Sequence, residues 1–320
     1  MSTLDSAAFD MTIVARTAVA EGVDTFELAP LGGVLPRWQP GAHIDVILPG
    51  GDARQYSLCG IPGASGESAQ TWRIGVLRED AGRGGSVWMH SLHVGDTLRV
   101  AGPHNHFEFS ADRGTNYLFI AGGIGITPIV AMMATAAAAG VEYSLEYAGR
   151  SRTTMALLGS LQADHPGRVS AHPADEGDRL DLAALFGSLK PFTTTYCCGP
   201  APLIEAVEVA ARGRQLRVER FEPKKLGAPL LAEAFEVELA YSGLELTVPP
   251  QRSILDVIEE AGVLVLSSCR EGTCGTCETR VLAGEIDHRD SILTPDERDA
   301  QDVMYICVSR SAGPRLTLEL

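Results

Sequence analysis

The chain has 320 residues, of which 45% are hydrophobic, and a formal net charge of −15 at pH 7. A chain of this length and composition buries a large core and exceeds the usual size of one domain, so we expect two or three soluble globular domains. The acidic balance argues against binding to nucleic acid and to anionic membrane surfaces.

The N-terminal segment, residues 1–22, has no basic stretch that leads into an apolar run, so it does not have the pattern of a signal peptide. We therefore expect a cytoplasmic protein, whose thiols stay reduced. The chain has seven cysteines, an odd number, which favours metal or redox use over a disulfide framework.

Residues 1–110 contain short β-type runs separated by Gly, Pro and Asp turns, among them HIDVILP, QYSLCG, WRIGVL and TLRVAG. Little helical periodicity lies between these runs. This part of the chain predicts an antiparallel barrel or sandwich.

Two stretches of this first part are candidate anion sites. In RQYSL, residues 54–58, the arginine can fork onto a phosphate, the aromatic ring can lie against a flavin, and the serine can reach a ring nitrogen. In AGRGGS, residues 81–86, an arginine, two glycine N–H groups and a serine stand at a predicted helix start. Each stretch alone also fits a strand with a surface arginine or a flexible turn, but together they favour binding.

Residues 116–141 contain no charged residue and are long enough for a membrane span. Glycines and a Thr-Pro pair near the middle, followed by an alanine-rich half, instead predict a buried strand, a glycine turn and a helix. The turn would let a pyrophosphate approach bare backbone at a helix N-terminus. Its sequence is not GxGxxG, so the signal depends on its position between strand and helix.

Residues 111–222 continue with NYLFIAGG, VEYSLEYAG, RVSAHPA and TTTYCCGP, each followed by helix-like sequence, which is typical of a parallel sheet covered by helices. Residues 223–233 predict a linker. Residues 234–320, with 16 acidic and 7 basic residues, form an acidic module. It begins with a hairpin turning at Ser242 and Gly243, and its helix has Ser253 and Gly262 as caps.

Four cysteines of this last part have the spacing C-x4-C-x2-C with a distant fourth: Cys269, Cys274, Cys277 and Cys307. This is the plant-type spacing for a [2Fe–2S] cluster. Gly272 and Gly275 fit a loop that passes close to sulfides and turns its N–H groups inward. Structural zinc also takes four cysteines, but it usually uses two short knuckles, so the spacing favours the cluster.

Other metal-like or reactive residues have simpler interpretations. His90 with His93, and His104 with His106, have ligand-like spacing, but no carboxylate or cysteine completes either set. We therefore predict turn and surface roles for these histidines. Cys197, beside Cys198, is predicted to pack in the sheet.

Taken together, RQYS at 54–57, GGIGITP at 122–128, CGP at 198–200 and the ferredoxin pattern resemble the phthalate dioxygenase reductase and vanillate O-demethylase reductase family. This group lies within the ferredoxin–NADP reductase superfamily, and the resemblance covers nearly the whole chain. It implies a flavin-binding antiparallel β-barrel over 1–110, an α/β NAD-binding domain with a parallel sheet over 111–222, and a β-grasp ferredoxin domain over 234–320. It also implies an NADH-dependent enzyme that passes electrons through FMN and a 2Fe-2S cluster to a Rieske-type oxygenase.

The resemblance also implies roles for individual residues. It places the flavin against Arg54, Tyr56, Ser57 and Leu58, with backbone contacts from Gly75, Val76 and Leu77. It places the flavin phosphate at Arg83, Gly84, Gly85 and Ser86. Thr127 would lie at the flavin edge next to the pyrophosphate loop. The dinucleotide would contact Gly122, Gly123, Gly125, Pro128, Arg150, Ser151 and Arg152. The nicotinamide would lie near Cys198, Gly199, Pro200 and Phe221, with catalytic roles for Ser57, Cys198 and Phe221.

Several alternatives stay open at the level of the residues. Arg150 and Arg152 can also bind a 2′-phosphate, so NADPH competes with NADH. FAD could replace FMN, and a cytochrome P450 could replace the oxygenase. A redox-responsive binding protein is a different class, but no effector or DNA-binding element supports it. We expect a monomer whose acidic ferredoxin domain docks transiently, by electrostatics, on a basic patch of the oxygenase.

Overall fold

The computed structural model describes residues 8–62, 71–177 and 179–320. Part of the N-terminal segment considered above, residues 1–7, lies outside the described residues. The described chain forms two compact units, residues 8–221 and residues 222–320. The finer boundaries near residues 110 and 233 stay predictions.

The larger unit begins with a six-stranded antiparallel sheet in the order β4-β3-β6-β1-β2-β5. Its strands are β1 (Phe9–Ala20), β2 (Val23–Pro30), β3 (His43–Ile47), β4 (Ala53–Ser57), β5 (Trp72–Leu77) and β6 (Thr97–His104). A bridge from Leu58 to Ile74 joins the two edges of this sheet, which therefore closes into a barrel. Alternating apolar residues such as Met11, Phe26 and Ile44 fill its core. Helix α1 (Gly85–Ser91) follows β5.

The second part of this unit is a five-stranded parallel sheet in the order β11-β10-β7-β8-β9. Its strands are β7 (Asn116–Gly122), β8 (Glu142–Gly149), β9 (Val169–Pro173), β10 (Thr193–Cys198) and β11 (Gln215–Glu219). Its helices are α2 (Ile126–Ala139), α3 (Leu158–Asp164), α4 (Leu182–Ser188) and α5 (Ala201–Ala210). The strand order reverses between β7 and β10, which is where ligands bind in open α/β sheets.

The uncharged segment at residues 116–141 is strand β7, a single 3-10 turn at Gly123–Gly125 and helix α2, as predicted. Among the described residues, no helix is long and apolar enough to cross a membrane.

The smaller unit contains a five-stranded mixed sheet in the order β13-β12-β18-β14-β16 and a β15-β17 pair. Its strands are β12 (Phe235–Leu239), β13 (Leu244–Val248), β14 (Glu278–Ala283), β15 (Ile286–Asp287), β16 (Val303–Tyr305), β17 (Arg310–Ser311) and β18 (Arg315–Leu318). Its helices are α6 (Ile254–Glu260) and α7 (Pro295–Ala300). The Ser253 hydroxyl caps α6 by accepting from the Asp256 N–H at 3.0 Å, and Gly262 follows its end with φ 84°.

Of the four histidines predicted at turns or the surface, His93 and His106 are exposed, whereas His90 and His104 contact groups of the barrel unit. The side chain of His90 is 7% exposed, and its Nε2 lies 3.0 Å from the Val76 carbonyl oxygen. Nε2 of His104 lies 3.3 Å from Oδ2 of Asp45, a fully buried carboxylate. The predicted surface role is therefore wrong for His90, and the contact of His104 with Asp45 arises because β3 and β6 pair side by side.

Candidate functional site

The loops that follow β7 and β10 lie against each other at the point where the strand order reverses. A Cβ atom on Gly125 would fall 2.4 Å from the carbonyl oxygen of Cys198, and one on Gly199 would fall 3.0 Å from Cα of Gly122. Only residues without a Cβ allow this approach. The reversal point therefore presents bare backbone at the N-terminus of α2, which is the surface that a dinucleotide pyrophosphate needs.

The two candidate anion stretches of the barrel form one corner. Nη2 of Arg54, on β4, donates to the carbonyl oxygen of Arg83 at 3.1 Å. A Cβ atom on Gly85 would fall 2.5 Å from Cγ of Arg54, so this glycine lets the arginine cross the turn. The hydroxyl of Ser86 accepts from the Glu79 N–H at 3.0 Å. The corner thus combines a guanidinium with a tight backbone turn, a combination suited to one phosphate group.

The barrel and the parallel sheet contact each other at Gly75 and Thr127. A Cβ atom on Gly75 would fall 2.8 Å from Cγ2 of Thr127, and the Thr127 hydroxyl donates to the Ile124 carbonyl at 3.0 Å. Tyr56, on β4, is partly buried, and this burial raises the pKa of its phenol to about 12. The phenol therefore stays neutral at physiological pH.

The remaining residues predicted to contact the flavin lie on the barrel strands or directly after them. Ser57, Leu58 and Val76 are buried, whereas Leu77 is partly exposed. The side chain of Val76 belongs to the barrel core, so only its backbone is available to a ligand.

Cys198 and Glu219 are paired neighbours at the carboxyl ends of β10 and β11. The Cys198 thiol lies 3.9 Å from Oε2 of Glu219. Burial raises the pKa of Glu219 to about 8, and the neighbouring Cys198 thiol and Ser57 hydroxyl oppose this rise. Burial also raises the pKa of Cys198, so this thiol stays protonated. Buried Ser57 and Cys198 and partly exposed Glu219 thus form a polar corner, and Phe221, 41% exposed, follows it in the chain.

Glu219 is the residue of this corner that sequence reasoning missed. A sequence cue was available in its position, since Glu219 ends the last strand of the parallel sheet two residues before Phe221. Only the pairing of β10 with β11 shows that it faces the thiol of Cys198.

The raised pKa of Glu219 predicts a pH-dependent stability. Between its ordinary pKa of 4.5 and about 8 the folded chain holds a proton that the unfolded chain releases, so stability falls as pH rises through this window. Glu219→Gln lacks this titration. We expect the variant to gain stability relative to the natural chain from pH 5 to 8, with a slope no steeper than about 1.4 kcal/mol per pH unit. Urea unfolding at a series of pH values measures this difference.

The control for this prediction is Glu205→Gln, which changes an exposed glutamate on α5. Its stability should follow that of the natural chain at every pH. Parallel curves for Glu219→Gln and the natural chain would show that Glu219 titrates normally.

The three residues predicted at the adenosine ribose follow β8. The carbonyl of Arg150 accepts from the Asp175 N–H at 3.0 Å, and the hydroxyl of Ser151 lies 3.0 Å from that of Thr153. Arg152 pairs with Glu176, which follows β9. Beside them is a cleft of about 500 Å³ whose lining includes Arg152, Thr153, Met155, Leu157 and Leu158.

The four predicted cluster ligands lie in the smaller unit, and all four are buried: Cys269, Cys274, Cys277 and Cys307. The sulfur of Cys269 accepts from the N–H groups of Glu271 and Thr273 at 3.3 and 3.4 Å. The sulfur of Cys274 accepts from the Cys269 N–H at 3.4 Å, and hydrogen bonds from the Cys274 and Cys307 thiols lower the pKa of Cys269. Thiolates surrounded by inward N–H groups are the donor set that a [2Fe–2S] cluster requires.

The backbone of this loop also fits a cluster. Gly272 and Gly275 have φ values of 72° and 78°, which favour glycine. A Cβ atom on Gly272 would fall 2.6 Å from Cγ2 of Val308, and the Gly272 carbonyl accepts from the Ser291 N–H at 2.9 Å. The segment around Ser291 therefore supports the loop, a contact that the cysteine spacing alone did not indicate.

The other thiols belong to the protein core. Cys197 packs among Leu118, Ile120 and Ile204, and burial raises its pKa to about 12. Cys59 is fully buried in the barrel unit, and burial raises its pKa as well. These cysteines are packing residues.

Comparisons with known proteins agree with this arrangement. The 2Fe-2S iron-sulfur cluster binding domain family matches residues 237–312. The chain is 42% identical over 312 residues to the phenoxybenzoate dioxygenase subunit beta of Ectopseudomonas oleovorans, and the match covers 95% of each chain. It is similar to the solved structure of phthalate dioxygenase reductase, described as a modular structure for electron transfer from pyridine nucleotides to [2Fe–2S], with TM-score 0.69, 32% identity and 100% of both chains covered.

A further solved structure is an intact type IV self-sufficient cytochrome P450 monooxygenase, with TM-score 0.89 and 41% identity. The match covers 98% of this chain but 41% of that longer chain. The predicted fold class, with an antiparallel barrel, a parallel sheet and a ferredoxin domain, is confirmed by these likenesses. The chain is an iron–sulfur flavoprotein oxidoreductase that transfers electrons, and it belongs to the phthalate dioxygenase reductase family.

Proposed function

We propose that this chain is the reductase component of a Rieske-type oxygenase system and passes electrons from NADH through FMN and a [2Fe–2S] cluster to the oxygenase. The observation that carries the proposal is the presence of three different sites in one chain. They are the phosphate corner at Arg54, the bare backbone at Gly122 and Gly199, and the four-cysteine loop. The likeness to phthalate dioxygenase reductase, whose structure is described as modular for electron transfer, supports the presence of these sites in one chain.

A bound flavin supplies the exchange between the two-electron chemistry of a nicotinamide and the one-electron chemistry of a cluster. The residues of this chain supply binding and orientation. The guanidinium of Arg54 and the turn at residues 83–86 hold a phosphate. Ser57, Cys198 and Glu219 form a polar corner in which the raised pKa values of Cys198 and Glu219 favour their neutral forms, so it would position a nicotinamide ring through neutral groups.

The phosphate corner supports FMN rather than FAD, because both anion stretches of the barrel converge on one place and suit a single monophosphate. All seven cysteines are free thiols, which supports a reducing compartment, and we place the protein in the cytoplasm as a monomer.

The acidic face that we propose for docking is smaller than the sequence indicates. Asp287 and Asp290 are 8% and 1% exposed and act inside the unit. Asp287 accepts from the Leu230 N–H at 3.0 Å, and Asp290 accepts from the Leu293 N–H at 2.8 Å. Glu259 is paired with Arg270. These carboxylates stabilise the unit, so they contribute little to an outward field.

Four exposed acids lie on α7 and just after it: Asp296, Glu297, Asp299 and Asp302. Nη2 of Arg298 donates to the Asp290 carbonyl at 2.8 Å, and Cα of Asp290 would lie 3.1 Å from a Cβ on Gly272. Helix α7 is thereby tied to the loop that holds Cys269 and Cys274. We call these four exposed acids the α7 face and propose that it meets the basic patch of the oxygenase.

Docking through the α7 face predicts a strong effect of salt. Raising ionic strength from about 0.01 to 0.15 M shortens the Debye length from about 30 to about 8 Å. We expect the rate of electron transfer to a Rieske-type oxygenase to fall about tenfold, because charge steers the encounter. Reduction of a small uncharged dye by NADH should change much less. Stopped-flow measurement of both rates in the same buffers tests the proposal.

The matched variants for this experiment carry equal charge changes. The double variant Asp296→Asn, Asp299→Asn should weaken the salt dependence, whereas Glu236→Gln, Glu245→Gln, beside Arg315 on the sheet, should leave it unchanged. Equal salt dependence for oxygenase and dye would contradict docking through the α7 face.

A second candidate is an FAD- or NADPH-using reductase for another acceptor such as a cytochrome P450. The observation that favours it is the structural likeness to the self-sufficient P450 monooxygenase. Replacing the oxygenase by a soluble P450 in the same stopped-flow experiment separates the two acceptors.

A further inference from the structure

A bidentate ion pair lies at the carboxyl ends of β8 and β9. Nε of Arg152 donates to Oε1 of Glu176 at 2.8 Å, and Nη2 donates to Oε2 at 3.0 Å. We propose that Glu176 makes this chain selective against NADPH, because it both occupies Arg152 and places a carboxylate where a 2′-phosphate would bind. The inference rests on the proposed use of a pyridine nucleotide by this chain.

The position of the pair is fixed by backbone structure. Arg152 begins the 3-10 turn Arg152–Thr154 after β8, and Glu176 ends the 3-10 turn Ala174–Glu176 after β9. The N–H of Asp175 donates to the Arg150 carbonyl at 3.0 Å, which ties the second turn to the segment that follows β8. The two side chains therefore meet as a consequence of the fold.

This place is where a parallel sheet of this type receives the adenosine half of a dinucleotide. The ribose lies beyond the carboxyl end of the strand next to the pyrophosphate loop, which here is β8 beside β7. The cleft of about 500 Å³ beside Arg152 has Met155 and Leu157 in its lining, and such apolar side chains suit an adenine ring. Gly149 allows Met155 to pack under the turn, because a Cβ there would fall 2.3 Å from Cγ of Met155.

A carboxylate at this place distinguishes the two coenzymes by charge. It accepts hydrogen bonds from the ribose hydroxyls of NADH, whereas it repels the 2′-phosphate of NADPH. A free arginine would act in the opposite direction, since its fork matches a phosphate. With the Nε–Nη2 edge of Arg152 turned to Glu176, the charge of this guanidinium is balanced by a carboxylate before a coenzyme arrives. Both effects of Glu176 favour NADH.

The pair can be removed without unfolding the chain. The side chains of Arg152 and Glu176 are 49% and 48% exposed, and exposed pairs contribute at most about 1 kcal/mol to stability. Glu176→Gln keeps the size of the side chain and removes its charge. The variant should therefore fold and should differ from the natural chain in coenzyme choice.

A matched control lies on the same two strands. Nη1 and Nη2 of Arg168 donate to Glu142 at 2.9 and 3.4 Å, at the amino end of β8. The side chain of Glu142 is 59% exposed, so Glu142→Gln removes another exposed carboxylate from an arginine pair of the same sheet, at the end away from the predicted ribose.

The test measures kcat/KM for NADPH and for NADH with a dye acceptor. It also measures, by calorimetry, binding of adenosine 2′,5′-bisphosphate and of AMP to the full chain. In Glu176→Gln we expect the NADPH to NADH ratio to rise at least about tenfold, which is a change of about 1.4 kcal/mol, and the bisphosphate to bind more tightly relative to AMP. Adding Arg152→Ala to Glu176→Gln should remove the part of this gain that comes from the freed arginine and leave the part that comes from lost repulsion, and Glu142→Gln should leave both ratios unchanged.

An unchanged ratio in Glu176→Gln, or an equal change in Glu142→Gln, would overturn the inference. The coenzyme preference of the natural chain tests the proposed function separately from the role of Glu176. If it prefers NADPH, the NADH part of the proposed function is wrong, whatever Glu176→Gln does to the ratio.

Discussion

Cys274→Ser is expected to remove the iron–sulfur cluster and to reduce electron transfer to the oxygenase to background, while NADH still reduces a dye. Cys274 is one of four buried thiols in the unit of residues 222–320. The phosphate corner and the bare-backbone loops belong to the unit of residues 8–221, which has its own cores. Iron and sulfide analysis, visible absorption and parallel assays with dye and oxygenase measure the result.

Cys197→Ala is the control for this variant, because it removes a buried thiol that packs among apolar side chains. It should keep two irons and two sulfides per chain, as expected for a [2Fe–2S] centre. Zinc without sulfide in the natural protein would refute the cluster. Loss of dye reduction in Cys274→Ser would show that the two units do not act independently.

Arg54→Ala is expected to weaken flavin binding about 10- to 100-fold, since a charge-assisted hydrogen bond contributes about 1.5–3 kcal/mol. The guanidinium of Arg54 crosses the turn at Gly85 and donates to the Arg83 carbonyl, which holds this cation at the phosphate corner. Fluorescence titration of the deflavinated protein with FMN gives the dissociation constants. The flavin released from the natural protein by heat should run as FMN on a column.

The control for this experiment is Arg99→Ala, which removes another arginine of the same barrel, near Asp10 on the neighbouring strand. It should bind flavin as the natural chain does. Released flavin that runs as FAD would contradict the FMN proposal, and equal weakening in both variants would show that Arg54 acts only through barrel stability.

Local patterns predicted much of this molecule, because the features that they describe are short-range. The strand, glycine turn and helix over residues 116–141 follow from composition alone, and the caps of α6 at Ser253 and Gly262 follow from side-chain chemistry. Close backbone approach explains why glycine stands at positions 122, 125 and 199.

The features that sequence reasoning missed depend on which strands become neighbours. The contact of Glu219 with Cys198 requires β11 to lie beside β10, and that of His104 with Asp45 requires β6 to lie beside β3. Local sequence also did not show which acidic side chains are buried. Asp290 counted as part of an acidic surface, but in the fold it accepts backbone hydrogen bonds and is 1% exposed.

The place of β18 in the sheet of the smaller unit has a consequence for biosynthesis. This strand lies in the centre of the sheet, between β12 and β14, yet it follows all the other strands and Cys307 in the chain. As the ribosome extends the chain, the thiols therefore emerge while the sheet is still in two halves. Iron delivery to a nascent chain would meet an open, oxidisable loop, so we expect stable cluster loading only after translation has passed β18.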